Sequence, residues 1–98
     1  MENSEALVFV RKPTPGQKAL LESQPTWDHD VETWPTYYDN RSETFLVIEG
    51  KGYITTKDGK EYHFEKGDLV TCKTDFNCIW TVTEHIYKYY IFDADLEV

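Results

Sequence analysis

Two cysteines and one carboxylate are the side chains whose spacing first suggests chemistry. Cys72 and Cys78 lie on either side of a polar loop, and a hairpin closed by that loop would bring their sulfurs close together. Two thiols with Glu43 would suit zinc better than a hard cation. A free cysteine, however, is most often a small buried apolar residue. Both interpretations of Cys78 stay open, and the absence of a secretion signal argues against a disulfide.

The three histidines do not form a metal-binding motif in the sequence. His29 lies in a polar, irregular stretch, His63 in a predicted strand and His85 in a predicted turn. None has a second histidine at the spacing of a His-x-His or His-x3-His pair. We therefore expect three surface histidines.

Short apolar segments separated by turn residues predict the elements that position these groups. Glu43–Glu49 is apolar at almost every position, which is typical of a strand buried on both faces. Asp58-Gly59 is a two-residue hairpin signal, and residues 16–24 are the one helical segment. Strands recur about every 8–12 residues, which predicts an all-β sandwich or barrel. The predicted strands are 6–10, 43–49, 53–56, 61–64, 69–72, 78–82 and 86–92.

Charge and composition exclude several classes of protein. The 98 residues carry 18 acidic and 10 basic side chains, for a net charge of −8. Such a surface repels phosphate backbones and anionic lipid, so we expect no nucleic-acid or membrane partner. The acidic start of the chain lacks the pattern of a signal peptide, and aromatic residues at 15% argue against disorder. We expect a single-domain, cytoplasmic protein.

Two stretches resemble the motifs of the cupin superfamily. In the first, Glu43 is followed by Gly50 in E-T-F-L-V-I-E-G. In the second, a Gly67-Asp68 turn is followed by Cys78, eleven positions after the glycine, where cupins place a ligand residue. The resemblance implies an all-β cupin jelly-roll barrel, a double-stranded β-helix with a short N-terminal arm. The single domain 1–98 would divide into an arm (1–33), a barrel core (34–92) and a tail (93–98).

Within that superfamily, the chain resembles the small ureidoglycine-aminohydrolase-like cupins. That family has a Trp-rich N-terminal arm, Tyr-Tyr-Asp before the glutamate and Cys-x-Trp in the second motif. Here these features are Trp27 and Trp34, Tyr37-Tyr38-Asp39, and Cys78-Ile79-Trp80. Cupins often dimerise through sheet contacts, so the resemblance implies a homodimer in which the arm covers a sheet edge or a second subunit.

The resemblance also implies where a site would lie. Cupin metals are usually held by a His-x-His pair, a glutamate and a third histidine. Glu43 matches the glutamate, Cys78 replaces the third histidine, and residues 36–39 contain no histidine. Glu43 and Cys78 are thus weak candidates for binding a divalent metal. Alternatively, Tyr37, Tyr38 or Lys88 could donate hydrogen bonds to Glu43 without any metal.

A pocket inside the barrel follows from the same positions. Strand alternation places Tyr37 and Tyr38 on opposite faces, and Tyr38 matches a usual cupin ligand position. Trp34 is a further aromatic candidate, although aromatic side chains in strands are commonly core. The predicted ligand-binding residues are Tyr38, Glu43, Tyr53, Cys78 and Trp80.

Three functions are compatible with these residues. The first is a cupin that binds a small molecule of unknown identity without the usual three-histidine metal site. The second, implied by the resemblance, is a metal-dependent enzyme that hydrolyses a small ureido-type metabolite with a metal-activated water. The third is a structural or regulatory module whose acidic surface binds a basic partner.

Overall fold

The computed structural model describes residues 7–94, and two long strands organise its fold. These are the fourth and seventh strands, which pair antiparallel with each other. Four of the other strands pair with one of the two. The first strand pairs with the sixth and extends the sheet at its edge. The elements are β1 (Val8–Arg11), α1 (Pro15–Glu22), β2 (Thr26–His29), β3 (Glu32–Tyr38), β4 (Glu43–Thr56), β5 (Glu61–Glu65), β6 (Leu69–Cys72) and β7 (Phe76–Phe92).

The two halves of each long strand belong to different sets of pairs. The first half of β4 pairs with β6, and its second half pairs with β5. The first half of β7 pairs with β3, and its second half pairs with β2. The strand orders are therefore β1-β6-β4-β7-β2 on one side and β5-β4-β7-β3 on the other. Side chains between the two sides form the interior, as the predicted all-β jelly roll requires.

The predicted breaks around Gly50 and His85 are not strand ends. Segments predicted as four strands form the two long strands instead, with irregular register between Val47 and Gly52. Gly50 has a φ of 92°, and a Cβ there would lie 2.1 Å from the carbonyl oxygen of His85. Turn residues thus mark a bulge, where the long strands bend without ending.

Neither β2 nor β3 is among the predicted strands, and only the alternation of Tyr37 and Tyr38 indicated extended backbone there. The segment containing His29 was interpreted as irregular, because its polar residues carry no apolar alternation. It nevertheless pairs with β7 from Thr26↔Tyr89 to His29↔Ile86. Pairing with a long neighbouring strand overrides the weak local preference. Within residues 7–94, β3 pairs with β7 alone, and such an edge position accommodates Pro35.

The helix agrees with the predicted segment apart from its ends. Thr14 caps it by accepting a hydrogen bond from the backbone N–H of Gln17, and the Gln17 side chain accepts one from the backbone N–H of Thr14. Leu21 is fully buried and packs with Leu46 and Leu69. The helix therefore closes one outer face of the sheet.

The main core lies between the two sides of the barrel. Residues 43–47 are all buried, which confirms a strand covered on both faces. The rings of Phe45 and Phe64 meet edge to face at 5.2 Å. Both cysteines are buried and free. In the described part of the chain, no helix is long and apolar enough to cross a membrane.

Candidate functional site

A pocket of about 380 Å³ opens at one end of the barrel. Its size is at the small end of the range of ligand sites. All three tryptophans of the chain line it. The lining residues are Trp27, Trp34, Thr36, Tyr37, Tyr38, Arg41, Glu43, Trp80, Lys88, Tyr90 and Phe92.

The pocket floor is formed by Tyr38, Glu43 and Lys88, which are all buried. One oxygen of Glu43, Oε1, accepts a hydrogen bond from the Tyr38 hydroxyl at 2.8 Å. The other, Oε2, accepts one from the Lys88 ammonium at 2.6 Å. Trp80 Nε1 in turn donates to the Tyr38 hydroxyl oxygen at 3.1 Å. Each floor group therefore has a partner of complementary charge or polarity, as burial requires.

Burial keeps the Tyr38 hydroxyl protonated. Removal from water is the main cause that raises the pKa of Tyr38 far above its usual range, and the charge of Glu43 raises it further. Tyr38 is consequently a hydrogen-bond donor to Glu43 throughout the physiological pH range. The floor holds one positive charge and one negative charge.

Three aromatic rings surround the Lys88 ammonium. Its nitrogen lies 4.2 Å from the ring centroid of Phe45, 4.6 Å from that of Trp80 and 4.8 Å from that of Trp27. The faces of these rings attract a cation. Lys88 is thus held by Glu43 on one side and by aromatic faces on others. From the sequence, Lys88 was predicted only as a possible hydrogen-bond donor to Glu43.

The tryptophan wall (Trp27, Trp34 and Trp80) stands above this floor. Strand register places it there, because Trp34 lies opposite Trp80 and Trp27 lies opposite Lys88. The rings of Trp34 and Trp80 are stacked, with centroids 5.7 Å apart and an interplanar angle of 17°. Trp27 is tilted against Trp34 and meets Trp80 edge to face. His29 stacks behind Trp27 at 5.2 Å, which supports the outer part of the wall.

The pocket mouth is formed by Arg41 and Phe92. The Arg41 guanidinium carbon lies 3.7 Å from the ring centroid of Phe92. The backbone N–H of Ser42 donates to the Asp93 carboxylate, and the N–H of Asp93 donates to the Ser42 carbonyl, both at 2.9 Å. These two bonds fix the loop that carries Arg41. Sequence reasoning missed Arg41, Tyr90 and Phe92, although the alternation of residues 88, 90 and 92 along one strand would have indicated the last two.

The structure brings together three of the five predicted ligand-binding residues. Tyr38, Glu43 and Trp80 meet in the pocket, and Tyr38 points inward while Tyr37 is 55% exposed. Tyr37 still touches the pocket from its rim.

Tyr53 and Cys78 do not line this pocket. Tyr53 alternates with the buried Gly52 and Ile54, so it faces outward and packs on His63 at 4.7 Å. Cys78 faces the interior but lies within the core cluster. Burial, with a contribution from the charge of Glu43, raises the pKa of Cys78 to about 11.

The three histidines lie on different strands, His29 on β2, His63 on β5 and His85 on β7. His63 and His85 are exposed, as expected, whereas His29 is partly buried behind Trp27. His85 belongs to β7 and not to a turn. Its ring nitrogens contact the carboxylates of Asp30 and Asp28, each at 2.8 Å.

The donors around Glu43 do not fit a metal centre of the usual cupin type. One of its carboxylate oxygens accepts a hydrogen bond from Tyr38 and the other accepts one from Lys88. The Lys88 ammonium would repel a metal cation. Within residues 7–94, no three His, Cys, Asp or Glu side chains are grouped so as to hold a metal ion. The thiol of Cys78, with its raised pKa, is a poor source of a thiolate ligand.

The paired long strands, the two-sided barrel and the interior pocket define a small cupin-type β-barrel. The chain belongs to the EutQ-like cupin domain family (Cupin_3), whose model matches residues 17–90. The crystal structure of a DUF861 family protein from Thermotoga maritima is 44% identical in sequence. It superimposes with a TM-score of 0.79, and the match covers 86% of this chain and 97% of that chain. A comparison with curated proteins gave no match. The predicted cupin fold is confirmed.

Proposed function

We propose that this protein is a small-molecule-binding cupin whose ligand occupies the pocket between the tryptophan wall and the Glu43–Lys88 pair. The observation that carries the proposal is the concentration of all three tryptophans around one open cavity. Trp27 and Trp34 keep part of their surface exposed there. Concave sites with aromatic walls and a few oriented polar groups are typical of small-ligand binding.

The test is a screen of small metabolites by ligand-observed NMR, with a variant that fills the pocket. Thr36→Phe adds a ring to a position that lines the pocket. Thr33→Phe adds the same ring to an exposed position on the same strand. We expect bound metabolites whose binding is lost in Thr36→Phe and kept in Thr33→Phe. Binding that survives both substitutions would contradict the proposal.

The contacts of Glu43 favour binding over the metal-dependent alternative. In that alternative, which extends the likeness to ureidoglycine-aminohydrolase-like cupins, Glu43 and Cys78 would hold a divalent metal that activates water for hydrolysis of a ureido-type metabolite. Elemental analysis separates the two functions. Stoichiometric metal that is lost on replacing Glu43 by Gln would favour the enzyme.

We further propose that the protein is a cytoplasmic homodimer without nucleic-acid or membrane partners. The net charge of −8 supports the second part. Exposed apolar surface on Tyr37 and Ile79 supports the dimer, because these side chains are 55% and 46% exposed on the paired strands β3 and β7. Light scattering checks the dimer. A monomer of 11.6 kDa would contradict it.

A further inference from the structure

The charges that face the pocket are not balanced. Lys88 is matched by Glu43 at 2.6 Å, so the floor contributes no net charge. Arg41 at the mouth is exposed and makes no ion pair with any residue between 7 and 94. Its guanidinium packs on the face of Phe92. The pocket therefore carries one unmatched positive charge on a protein whose net charge is strongly negative.

The walls of the pocket favour a flat ligand. Trp34 and Trp80 stack on each other, so the partly exposed Trp27 and Trp34 offer the tryptophan surface that a ligand can reach, and Tyr90 and Phe92 line the same cavity. Flat rings stack on such surfaces with ring centroids about 4.5–7 Å apart. The floor groups are hydrogen-bonded to one another, so a ligand meets mainly aromatic side chains and Arg41.

We propose, on the basis that the pocket binds a small molecule, that its ligand is a planar aromatic or heteroaromatic monocarboxylate. The ring packs against the tryptophan wall, and the carboxylate accepts hydrogen bonds from the Arg41 guanidinium. The planar fork of arginine matches the two oxygens of a carboxylate. Stacking on Phe92 holds that fork at the mouth.

A cationic ligand fits this pocket less well, although aromatic walls often recognise cations. The place of such a cation is already taken, because the Lys88 ammonium lies within 4.8 Å of three ring centroids. A second cation would be repelled by Lys88 and by Arg41. Each oxygen of Glu43 already accepts a hydrogen bond, one from Tyr38 and the other from Lys88, so the carboxylate charge is matched within the floor.

The experiment compares carboxylates with their uncharged counterparts by isothermal titration calorimetry. The probes are benzoate, indole-3-carboxylate and quinoline-2-carboxylate, the three matching amides, cyclohexanecarboxylate and phenyltrimethylammonium. A charged hydrogen-bonded pair contributes enough for about a tenfold preference or more for the acid over its amide. We expect the planar acids to bind more tightly than cyclohexanecarboxylate and the cation.

Arg41→Gln tests the role assigned to the mouth. We expect it to weaken binding of the planar acids about tenfold and to leave binding of the amides almost unchanged. Lys57→Gln removes the same charge from an exposed turn outside the pocket and serves as the control. It should preserve the preference for acids.

The outcomes separate the ligand class from the proposed function. Any of three results would overturn the carboxylate inference. They are equal binding of acids and amides, tighter binding of phenyltrimethylammonium than of the planar acids, and a preference for acids over amides that is unchanged in Arg41→Gln. If the planar acids fail while another class of metabolite binds and is blocked by Thr36→Phe, the small-molecule function stands and only the ligand class is wrong. If neither the probes nor the metabolite library binds, both are overturned.

Discussion

Replacing Lys88 by Met removes the ammonium from the pocket floor and leaves Glu43 buried without its counter-ion. The side chains of the pair are only 6% and 8% exposed, so little water reaches the carboxylate that is left behind. Methionine retains most of the length of lysine and preserves the apolar contacts with the surrounding rings. The perturbation is therefore mainly electrostatic.

Its magnitude follows from burial. Removing one partner of a buried ion pair costs about 3–5 kcal/mol, because an uncompensated charge remains. Glu43→Gln should cost less, since three aromatic faces still stabilise the ammonium by about 0.5–2 kcal/mol. In the double variant no buried charge remains. It should be more stable than Lys88→Met alone, with a coupling energy of at least about 2 kcal/mol.

Urea unfolding of the wild type, of Lys88→Met, of Glu43→Gln and of the double variant gives this coupling energy. The chain offers a matched control in Lys51 and Glu84, which join the same two long strands by a 3.8 Å contact at the surface. Their side chains are 55% and 61% exposed, so the cycle of Lys51→Met and Glu84→Gln should give no more than about 1 kcal/mol. A coupling energy between Glu43 and Lys88 as small as that between Lys51 and Glu84 would refute the reasoning.

Three further predictions concern positions outside the pocket floor. Gly50→Ala should lower the free energy of unfolding by more than about 2 kcal/mol, because of its positive φ and the clash with the His85 carbonyl; an unchanged urea midpoint would disprove the bulge. Hydrogen bonds to Asp30 and Asp28 raise the pKa of His85 above 6.5. The protonated His85 therefore stabilises the folded protein fully below about pH 6.5, and this contribution is lost as pH rises through the pKa of the folded state. His85→Gln should remove that part of the pH dependence of the urea midpoint, and an identical profile would contradict it. With a pKa of about 11, Cys78 is a thiolate in only about one molecule in ten thousand at pH 7, so native protein should react slowly with a disulfide reagent and unfolded protein rapidly; a fast native reaction would contradict its burial.

Most of the fold could be predicted from local patterns. The buried run at 43–47 follows from its continuous apolar pattern. The turn at Asp58-Gly59 follows from turn chemistry, although the connection spans residues 57–60 and not two residues. The inward position of Tyr38 followed from the cupin resemblance. The continuity of β4 and β7 could not, because glycines that end a strand and glycines that bend one have the same sequence signature. Gly50 is distinguished only by the closeness of His85 in the folded chain.

The site was also predictable only in part, because several of its residues come together only in the folded chain. Tyr38, Glu43 and Trp80 occupy positions that the cupin resemblance marks. Lys88 is 45 positions away from Glu43 in sequence, and only the pairing of β4 with β7 brings them together. Arg41 lies in a short polar break, where nothing local indicates that Phe92 will hold its guanidinium at a pocket mouth.

The most direct test of the proposed function observes the three tryptophan indole N–H signals in a ¹⁵N–¹H correlation spectrum. These signals report on one pocket, because Trp27, Trp34 and Trp80 are the full tryptophan complement of the chain. Addition of a metabolite identified in the screen should shift these signals in the wild type and in Thr33→Phe, and leave them unmoved in Thr36→Phe. Binding that leaves all three indole signals unchanged in the wild type would contradict the account.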